Sequence, residues 1–534
     1  MEKFAKSLTA LLLAAALCAC SKIPDYSAPE LSSEDPESSD ITSRPTVLPD
    51  NGEYLPKEYA VTRQDYSAKL NAEGGVYDIG SDVSGEDAGP YDGKGFVRLK
   101  QGGSLTHVVT ASAPQHYRII IAARSEKGAS VTFRCDGKTQ GAYYIPPLDK
   151  DKFEDGDYTF EYYAVDSVYL NSGSNTLEFV SASGEAEIDY LFVENSDAVS
   201  DSCYGIGNAC TNPSAATKTI ELMQYLTKNF GRQVLTAQNV TIGTNAEIDA
   251  IYKVTGRYPA IRVGELAAAV FEDGDNADAA KKDIELSQQW NKDGGIVAYT
   301  WHWYSPNALR GTAPRDFSAD RALEPINLNE FAMLDGGDLQ MMLENEFISS
   351  ELISLINDLD KLAETLKPLA DADIPVIFEP IPDPDSGLYW WGNSSESYKK
   401  LWQLAFTRLC SYHKLGNLLW VWNCGDTDFY PGNEYVDIIG QSFYERSDSS
   451  FAGRFAALSE MDTARKLQAV TACDVIPDID SMYRDNAIWL WAAPASGEFV
   501  VNSAGTLVET YNKRSALNYF YNHKLTVARD ELWQ

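Results

Sequence analysis

The sequence predicts a multidomain chain, in which an N-terminal β-sandwich is followed by a (β/α)8 barrel of the TIM type. Its 534 residues exceed the roughly 100 to 200 residues of a single domain. All eleven tryptophans lie at or beyond Trp290, so the two parts of the chain differ in composition. Short alternating strands fill the first part, and a strand–helix–strand rhythm fills the second.

The overall composition indicates a mostly globular protein with an acidic surface. Hydrophobic residues make up 44% and charged residues 23% of the chain. The 78 acidic and 44 basic side chains give a formal net charge of −34. Because nucleic acid is bound by basic surfaces, this balance excludes it as an expected partner and suits a neutral ligand.

The N-terminus has the pattern of an export signal. A basic start with Lys3 and Lys6 precedes an apolar run from Leu8 to Leu17. This run is about half of the roughly 20 residues that a membrane-spanning helix needs. Residues 1–20 are therefore predicted to be a lipoprotein signal peptide. The tetrapeptide "LCAC" resembles a bacterial lipobox, which implies lipidation of Cys20 and a lipid anchor in the membrane.

Residues 21–57 are predicted to be a disordered linker. They are rich in Pro, Ser and acidic residues, as in "SSEDPESSD", and cannot bury enough apolar surface to fold.

The remaining cysteines and the histidines do not predict a zinc site. Six cysteines follow Cys20 without any C-x-x-C pair, and the five histidines do not cluster. Cys203 and Cys210 are seven residues apart, and their spacing leaves both a disulfide and two free thiols open.

Residues 58–196 are predicted to form the β-sandwich. Their apolar residues alternate over short runs that are separated by Gly, Asp, Asn and Ser, as expected for paired antiparallel sheets. The predicted strands include "SLTHVVTA", "YRIIIAAR", "ASVTFRC", "YTFEYYAV", "NTLEFVSA" and "EIDYLFVEN".

Residues 204–534 are predicted to form the (β/α)8 barrel. Eight apolar strands alternate with helical patterns, and an open doubly wound sheet is the alternative. The strands are "QVLTAQN", "YPAIRV", "GGIVAYTW", "IPVIFEP", "NLLWVWN", "VDIIGQSF", "LQAVTA" and "AIWLWAA". In a barrel, functional residues lie where the strands end, at the C-terminal mouth.

Aromatic side chains are concentrated at these strand ends. Sugars stack their C–H faces on aromatic rings and use their hydroxyls for directional hydrogen bonds. The group therefore predicts a carbohydrate ligand. The predicted substrate-binding residues are Trp301, His302, Trp303, Trp390, Trp391, Trp422, Tyr444 and Trp491.

Several stretches resemble known carbohydrate-active families. "GGIVAYTWHW", "IPVIFEPIPDPDSGLYWWGNSSESYKKLW", "NLLWVWNCGDTDFYPGNEYVDIIGQSFY" and "AVTACDVIPDIDSMYRDNAIWLW" resemble the β-mannanases of glycoside hydrolase family 26 over nearly the whole barrel. "GPYDGKGFVRLKQGGSLTHVV" and "AEIDYLFVEN" resemble the family 35 carbohydrate-binding modules or their family 6 relatives.

The family 26 resemblance implies retaining hydrolysis by two carboxyl groups, and the first of them is altered here. The acid/base Glu ends a stretch like "FRPLHE", where this chain reads "FEPIPD". Glu379 therefore replaces the Arg, Pro382 the His, and Asp383 the Glu. Asp383 is one methylene shorter, so general acid and plain loop carboxylate both remain open for it, as they do for Asp385.

The second carboxyl is missing from its expected place. The nucleophile ends a stretch like "ALTE", where this chain reads "AVTA" and places Ala472. A methyl group cannot attack an anomeric carbon. After the sixth strand, Ser442 stands where the family often has Asp, whereas Tyr444 is retained, as is His302, which matches a substrate-contacting residue.

The binding-module resemblance implies a structural calcium in the N-terminal domain. Asp189 is the candidate ligand, and a sheet-edge carboxylate is an equally good interpretation. No other cofactor is expected.

Three functional hypotheses follow. The first is a lipoprotein of the cell envelope, displayed at the outer membrane or cell surface, that binds a β-mannan polysaccharide with little or no hydrolysis. The second is an active endo-β-1,4-mannanase using displaced carboxylates, such as Asp383 with Glu445 or Asp474. The third is a scaffold lipoprotein without a glycan ligand, which the aromatic mouth disfavours.

Overall fold

The computed structural model describes most of the chain after the predicted linker. The described residues are 66–84, 90–112, 114–148, 159–196, 199–271, 274–306, 317, 319–323, 328–444, 450–461 and 465–533. The predicted signal peptide, Cys20 and the predicted linker lie outside the described residues.

The N-terminal part consists of eleven strands in two antiparallel sheets. One sheet has the order β3-β4-β11-β6-β9 with β1 added beside β11, and the other has the order β2-β5-β10-β7-β8. The strands are β1 Ser67–Asn71, β2 Val76–Tyr77, β3 Gly80–Val83, β4 Phe96–Leu99, β5 Ser104–Ala111, β6 Gln115–Arg124, β7 Ala129–Cys135, β8 Lys138–Ile145, β9 Glu161–Leu170, β10 Gly173–Ser183 and β11 Ala186–Asn195.

Alternation of side chains produces the core of this part. Along β7, every second residue is buried, as its apolar/polar sequence dictates for a strand with one covered face. Apolar side chains of both sheets belong to one hydrophobic cluster, which includes Ile119 of β6, Phe133 of β7 and Phe179 of β10.

The C-terminal part is a closed parallel barrel of eight strands. These are β12 Val234–Asn239, β13 Ile261–Glu265, β14 Ile296–Trp301, β15 Val376–Pro380, β16 Leu418–Asn423, β17 Ile438–Phe443, β18 Leu467–Cys473 and β19 Trp491–Pro494. They pair in chain order, and β12 pairs with both β13 and β19, which closes the barrel. A short ninth strand, β20 Thr526–Val527, pairs with β12. The predicted barrel is confirmed, and the doubly wound alternative is wrong.

Helices connect the barrel strands. They are α1 Thr217–Asn229, α2 Ala246–Thr255, α3 Gly274–Lys292, α4 Ala319–Ala322, α5 Leu328–Phe331, α6 Gly336–Glu344, α7 Ser350–Asp371, α8 Ser395–Phe406, α9 Ala452–Glu460, α10 Ile479–Arg484 and α11 Arg514–Tyr521. A π-helical stretch, Thr407–Tyr412, continues α8.

The longest helix shows how the sequence sets these elements. The hydroxyl of Ser349 accepts a hydrogen bond from the amide of Leu352 and caps the first turn of α7. Leucines three and four residues apart, such as Leu355, Leu359 and Leu362, are fully buried, whereas Asn357 between them is exposed.

A buried polar cluster joins the N-terminal sheets to the barrel. His116 of β6 lies 2.6 Å from Asp485, through its Nδ1 and the carboxylate Oδ2. Asp485 also accepts hydrogen bonds from Ser450 at 2.7 Å and from Arg484 at 2.9 Å. Although burial opposes it, Arg484 and His116 hold the pKa of Asp485 well below its usual value.

Two further observations concern the membrane and the thiols. Among the described residues, no helix is both long and apolar enough to cross a membrane. Cys203 and Cys210 are both free, so the disulfide alternative is not realised in this structure.

Candidate functional site at the barrel mouth

The C-terminal ends of the barrel strands bring polar side chains together. Glu265 ends β13, Asn423 ends β16, and Glu379 and Ser442 are the next-to-last residues of β15 and β17. Because all strands of a parallel barrel end at the same rim, residues that are far apart in sequence meet there.

The loop after β15 is held in a strained conformation. Ile381 and Asp383 have positive φ angles of 44° and 49°, which β-branched and other non-glycine residues rarely adopt. The amide of Ile381 donates to the carbonyl of Trp301 at 3.0 Å, and the amide of Asp383 donates to the carbonyl of Asn423 at 3.0 Å. The two neighbouring strands therefore fix the loop and the position of the Asp383 carboxyl.

A chain of hydrogen bonds links Glu379 to Asp383. The side-chain amide of Asn423 donates to Oε1 of Glu379 at 2.8 Å and to Oγ of Ser442 at 2.8 Å. Ser442 in turn donates to Oδ2 of Asp383 at 3.1 Å. Thr471 of β18 adds a donor to Oε1 of Glu379 at 3.3 Å. Four barrel strands thus hold two carboxyl groups in one network, which we call the mouth network (Glu379, Asp383, Asn423, Ser442 and Thr471).

The two carboxyl groups have different proton affinities. Burial raises the pKa of Glu379 to about 8, and the charge of Asp383 adds to this effect, although Asn423 opposes it. Burial raises the pKa of Asp383 to about 6, against the influence of His302 and Ser442. At neutral pH, Glu379 is therefore mostly a neutral acid, whereas Asp383 is mostly a carboxylate.

The end of β18 offers no carboxylate to the mouth. Ala472 is partly exposed and pairs with Ser442 of the neighbouring strand. Cys473 is buried, and its thiol contacts the carbonyl of Ala493 at 3.5 Å. Ala472, at the predicted nucleophile position, thus presents a methyl group beside the serine that binds Asp383.

His302 is held at the mouth by an acidic partner. Its Nδ1 lies 2.6 Å from Oε2 of Glu265, and its backbone amide donates to Oε1 of the same residue at 3.2 Å. Although burial lowers the pKa of His302, Glu265 raises it above its ordinary value, and Asp383 adds to the rise. The imidazole ring, which is partly exposed, therefore gains cationic character next to Asp383.

The predicted sugar-stacking tryptophans are buried. At most 2% of the surface of each is exposed, and the set comprises Trp301, Trp303, Trp390, Trp391, Trp422 and Trp491. Trp301 stacks on Trp303 at 4.3 Å, and the Trp390 indole donates to the carbonyl of Trp303 at 2.8 Å. Large rings gain more from filling the space under the mouth loops than from facing water. Substrate contact stays a prediction for them, and in the free protein their faces contact other side chains.

Two tyrosines are better placed to meet a ligand. Tyr389 is partly exposed and stacks on Trp391 with ring centroids 4.4 Å apart and an interplanar angle of 5°. Its ring lies 5.5 Å from that of His302. Tyr444, a predicted binding residue after β17, is 53% exposed and lies against Phe499. Trp391 thus supports Tyr389 from beneath.

The proposed displaced carboxylates lie in different surroundings. Asp474 is buried in the turn after β18, and its Oδ1 accepts from the amide of Val475 at 2.7 Å. Asp385 is exposed and folds over Gly425, where a Cβ atom would collide with its carboxylate. Glu445 lies outside the described residues.

Nothing in the described residues supports calcium at Asp189. Both carboxylate oxygens of Asp189 accept from the backbone amide of Asp92, each at 3.0 Å. No group of three or more His, Cys, Asp or Glu residues that could hold a metal ion occurs in the described part of the chain. Burial raises the pKa of Asp189 to about 6.

Sequence reasoning missed Glu265, Asn423 and Thr471 as parts of the site, and it treated Glu379 only as a substitution. Each lies at or near the end of an apolar strand, where a lone polar residue is costly unless it is paired. A polar residue at the C-terminal end of a buried barrel strand was the signal that could have identified them.

Comparison with known families supports the barrel assignment. The family model of Glycosyl hydrolase family 26 matches residues 211–531, which is more than half of the chain.

Curated relatives also match most of the chain. It is 27% identical over 373 residues to the mannan endo-1,4-beta-mannosidase of Thermothelomyces thermophilus, covering 69% of this chain and 72% of that protein. It is 26% identical over 481 residues to the mannan endo-1,4-beta-mannosidase B of Piromyces sp, covering 88% of this chain and 77% of that protein.

Solved structures share the fold at low identity. A ruminal GH26 endo-beta-1,4-mannanase aligns with a TM-score of 0.62 and 22% identity, covering 90% of this chain and 99% of the other. A GH26-CBM35 beta-(1,4)-mannanase of Podospora anserina aligns with a TM-score of 0.53 and 22% identity, covering 88% of this chain and 99% of the other.

Proposed function

Because the chain belongs to glycosyl hydrolase family 26, we propose that it is an envelope lipoprotein that recognises a β-mannan or a related β-glycan and hydrolyses it little or not at all. Its relatives from Thermothelomyces thermophilus and Piromyces sp are named mannan endo-1,4-beta-mannosidases, which supports the choice of polymer.

One observation carries the binding role: the methyl group of Ala472 at the mouth end of β18. A retaining glycosidase needs a nucleophile and an acid/base about 5 to 5.5 Å apart. Asp383 keeps a carboxyl at the acid/base position, whereas Ala472 has no lone pair to form the glycosyl intermediate. The mouth nevertheless keeps His302 and an exposed tyrosine surface, which suit the hydroxyls and C–H faces of a sugar.

The N-terminal sheets form the second part of the proposal. We take residues 58–196 to be a β-sandwich carbohydrate-binding module. The two antiparallel sheets with a shared core fit this assignment, as does the name of the Podospora anserina protein. A module joined to the barrel by the buried His116–Asp485 pair would add avidity for a polymer if both parts engage one chain.

The lipid anchor and the location complete the proposal. The lipobox-like "LCAC" supports lipidation of Cys20, and the Pro/Ser/acid-rich residues 21–57 suit a tether between membrane and module. Labelling cells with a lipid precursor, and comparing the parent with Cys20→Ser, tests the anchor. Protease accessibility on intact cells tests surface display.

The decisive experiment compares binding with turnover. Purified residues 21–534 are incubated with mannan and galactomannan and assayed for reducing ends. They are then run in affinity gels that contain the same polymers. We expect retardation without release of reducing ends. Hydrolysis at ordinary glycosidase rates, in the range of 1 to 10³ per second, would instead establish an active enzyme.

A matched pair of tyrosine variants locates the binding surface. Tyr444→Ala should weaken retardation about tenfold, the loss of one aromatic contact. Tyr252→Ala should leave it unchanged, because Tyr252 is similarly exposed, at 42%, but stacks on Tyr258 near the opposite end of the barrel. If the gels retard both variants equally, the barrel mouth is not the binding site. If the gels retard neither the parent nor the variants, the protein does not bind mannan, and the scaffold hypothesis is favoured.

A further inference from the structure

Glu379 is a buried acid with one oxygen left over. It is only 6% exposed, and Oε1 accepts both hydrogen bonds that the carboxyl makes, from Asn423 and Thr471. Among the described residues, Oε2 has no hydrogen-bond partner. An acid oxygen that the protein leaves without a partner at a strand end can hydrogen-bond a ligand hydroxyl.

The surroundings of Glu379 show which way its carboxyl faces. It accepts from Asn423 of the neighbouring strand β16 and from Thr471 of β18, which lies three strands away around the barrel. A side chain of β15 can reach β18 only through the inside of the barrel, so the carboxyl lies in the barrel interior. Glu379 is the next-to-last residue of β15, which places its carboxyl at the C-terminal end of that interior, just below the mouth.

The mouth network orients the acid relative to Asp383. Asn423 and Ser442 connect the two carboxyl groups through three hydrogen bonds of 2.8 to 3.1 Å. Thr471 holds Glu379 beside Ala472, so the Glu379 carboxyl stands next to the position where the seventh strand lacks one.

We propose that Glu379 is a hydroxyl-binding residue for the glycan, and that Glu379 and Asp383 together hold one sugar unit by a hydrogen-bond donor and an acceptor. This inference rests on the proposed glycan-binding function and adds the residue that fixes the sugar. Neighbouring sugar hydroxyls both donate and accept, so a neutral acid beside a carboxylate complements them.

Ionisation of Glu379 should abolish this pairing. Above its raised pKa, the group loses its donor and becomes a second negative charge beside Asp383. The other titratable groups that interact with it are His302, which is held by Glu265, Asp383, and the tyrosines Tyr389, Tyr398 and Tyr444. Burial holds the pKa values of the three tyrosines above their ordinary ones, which leaves His302 as the competing group at mildly alkaline pH.

The test measures mannan affinity of the purified protein by isothermal titration with mannohexaose at pH 7 and pH 9. We expect the parent to bind at least fivefold more weakly at pH 9. Glu379→Gln keeps a neutral donor, so it should bind within about threefold of the parent at pH 7 and lose most of the pH effect. Glu379→Ala should bind at least tenfold more weakly at pH 7.

The matched control is Glu247→Gln. Glu247 is another buried glutamate, on α2, whose Oε1 accepts from Thr241 and Gly497. Parent-like affinity and pH dependence are expected for this variant.

Three outcomes would overturn the proposal. They are parent-like affinity of Glu379→Ala, a pH effect that persists in Glu379→Gln and so belongs to His302, and a parent without any pH effect. If Glu379→Ala does not fold, the pH profile of Glu379→Gln decides. A parent that binds no mannan at any pH contradicts the proposed function itself, which separates the two failures.

Discussion

The C-terminal ends of the fourth and seventh barrel strands, β15 and β18, lie at the same rim but differ in the chemistry of their side chains. After β15, two positive-φ residues hold a loop that carries Asp383, and Glu379 lies just below it. At the end of β18, Ala472 is partly exposed and the Cys473 thiol is buried. In the family 26 pattern to which this sequence was compared, each of these exits carries one carboxyl group of the retaining pair. Here both carboxyl groups come from the β15 side.

The barrel mouth therefore keeps two carboxyl groups, although both lie on the β15 side and none lies at the end of β18. Strained backbone persists only where surrounding contacts stabilise it, and Trp301 and Asn423 provide those contacts at the β15 loop. A strained loop and a buried acid at the same rim are consistent with the ligand-binding role proposed above.

The largest predicted effect comes from placing a carboxylate at the end of β18, because this would remove the difference between the two strand exits. At pH 6, near the pKa of Asp383, Ala472→Glu should raise mannan hydrolysis at least about 1,000-fold above the parent, because the protonated fraction of Asp383 can donate to the leaving group and Glu379 is neutral and does not repel the new charge. Reducing-end release measures the rate, and NMR of the first product should show retention.

Two controls accompany this prediction. Ala472→Gln has nearly the same shape without the charge and should stay at the parent rate. Adding Asp383→Asn to Ala472→Glu should remove the gain. A folded Ala472→Glu protein that remains at the parent rate would mean that Asp383 cannot act as an acid, so that the β15 exit is suited to binding alone.

Cutting the mouth network at its centre should have the next largest effect. Asn423→Leu removes the donor shared by Glu379 and Ser442, and should lower the free energy of unfolding by about 3 kcal/mol and weaken mannan binding. Asn417→Leu is the control, since Asn417 is also buried and donates at 3.0 Å to the carbonyl of Ile374, just before β15 begins.

Both variants should be destabilised in guanidinium titrations, and only Asn423→Leu should lose affinity. Loss of affinity in both would indicate that binding follows general stability and not the mouth network.

Protonation of Glu379 should also make the free energy of unfolding depend on pH. Since its pKa rises from 4.5 to about 8 on folding, the folded protein holds a proton that the unfolded chain releases between these values. The free energy of unfolding should therefore fall as pH rises from 5 to 7, by about 2 kcal/mol from this group. The remaining contribution disappears as pH rises through about 8, the pKa of the folded state.

Glu379→Gln should lack this fall, which guanidinium titrations at pH 5 and 7 can measure. Asp383→Asn is the comparison, because it should remove the part of the slope between pH 3.8 and about 6 and only reduce the part that belongs to Glu379. An identical slope in the parent and in Glu379→Gln would contradict a protonated Glu379.

The sequence was sufficient for the barrel because its signal is repeated. Eight apolar runs at regular spacing, each followed by a helical pattern, leave few alternatives, and each predicted strand coincides with an observed one. The places of Asp383 and Ala472 at strand exits followed from the same pattern.

The side-chain arrangement was not predictable in the same way. A tryptophan at the end of a strand can either stack on a sugar or fill the core, and the sequence is the same in both cases. The burial of Trp390 and Trp422 could therefore not be predicted from the sequence. The link from Asn423 to Ser442 depends on the register between β16 and β17. No local sequence pattern contains that register.

The smallest expected effect concerns Ser442, which touches both exits. Its hydroxyl donates to Asp383, and its backbone pairs with Ala472. Ser442→Ala should raise the pKa of Asp383 further, because the hydrogen bond that favours the carboxylate is lost. Affinity for mannohexaose should then fall about threefold at pH 7, and the acid limb of its pH profile should move to higher pH.

Ser442→Thr keeps the hydroxyl and serves as the control, with a parent-like profile expected from titrations between pH 5 and 8. If Ser442→Ala leaves the acid limb in place, the charge of Asp383 is set by His302 and not by the serine. Ser442 of β17 would then have no influence on the protonation of Asp383, although it lies between the β15 and β18 exits. A shifted limb, by contrast, would show that the strand beside Ala472 controls the carboxyl on β15, because one hydroxyl connects the two halves of the mouth.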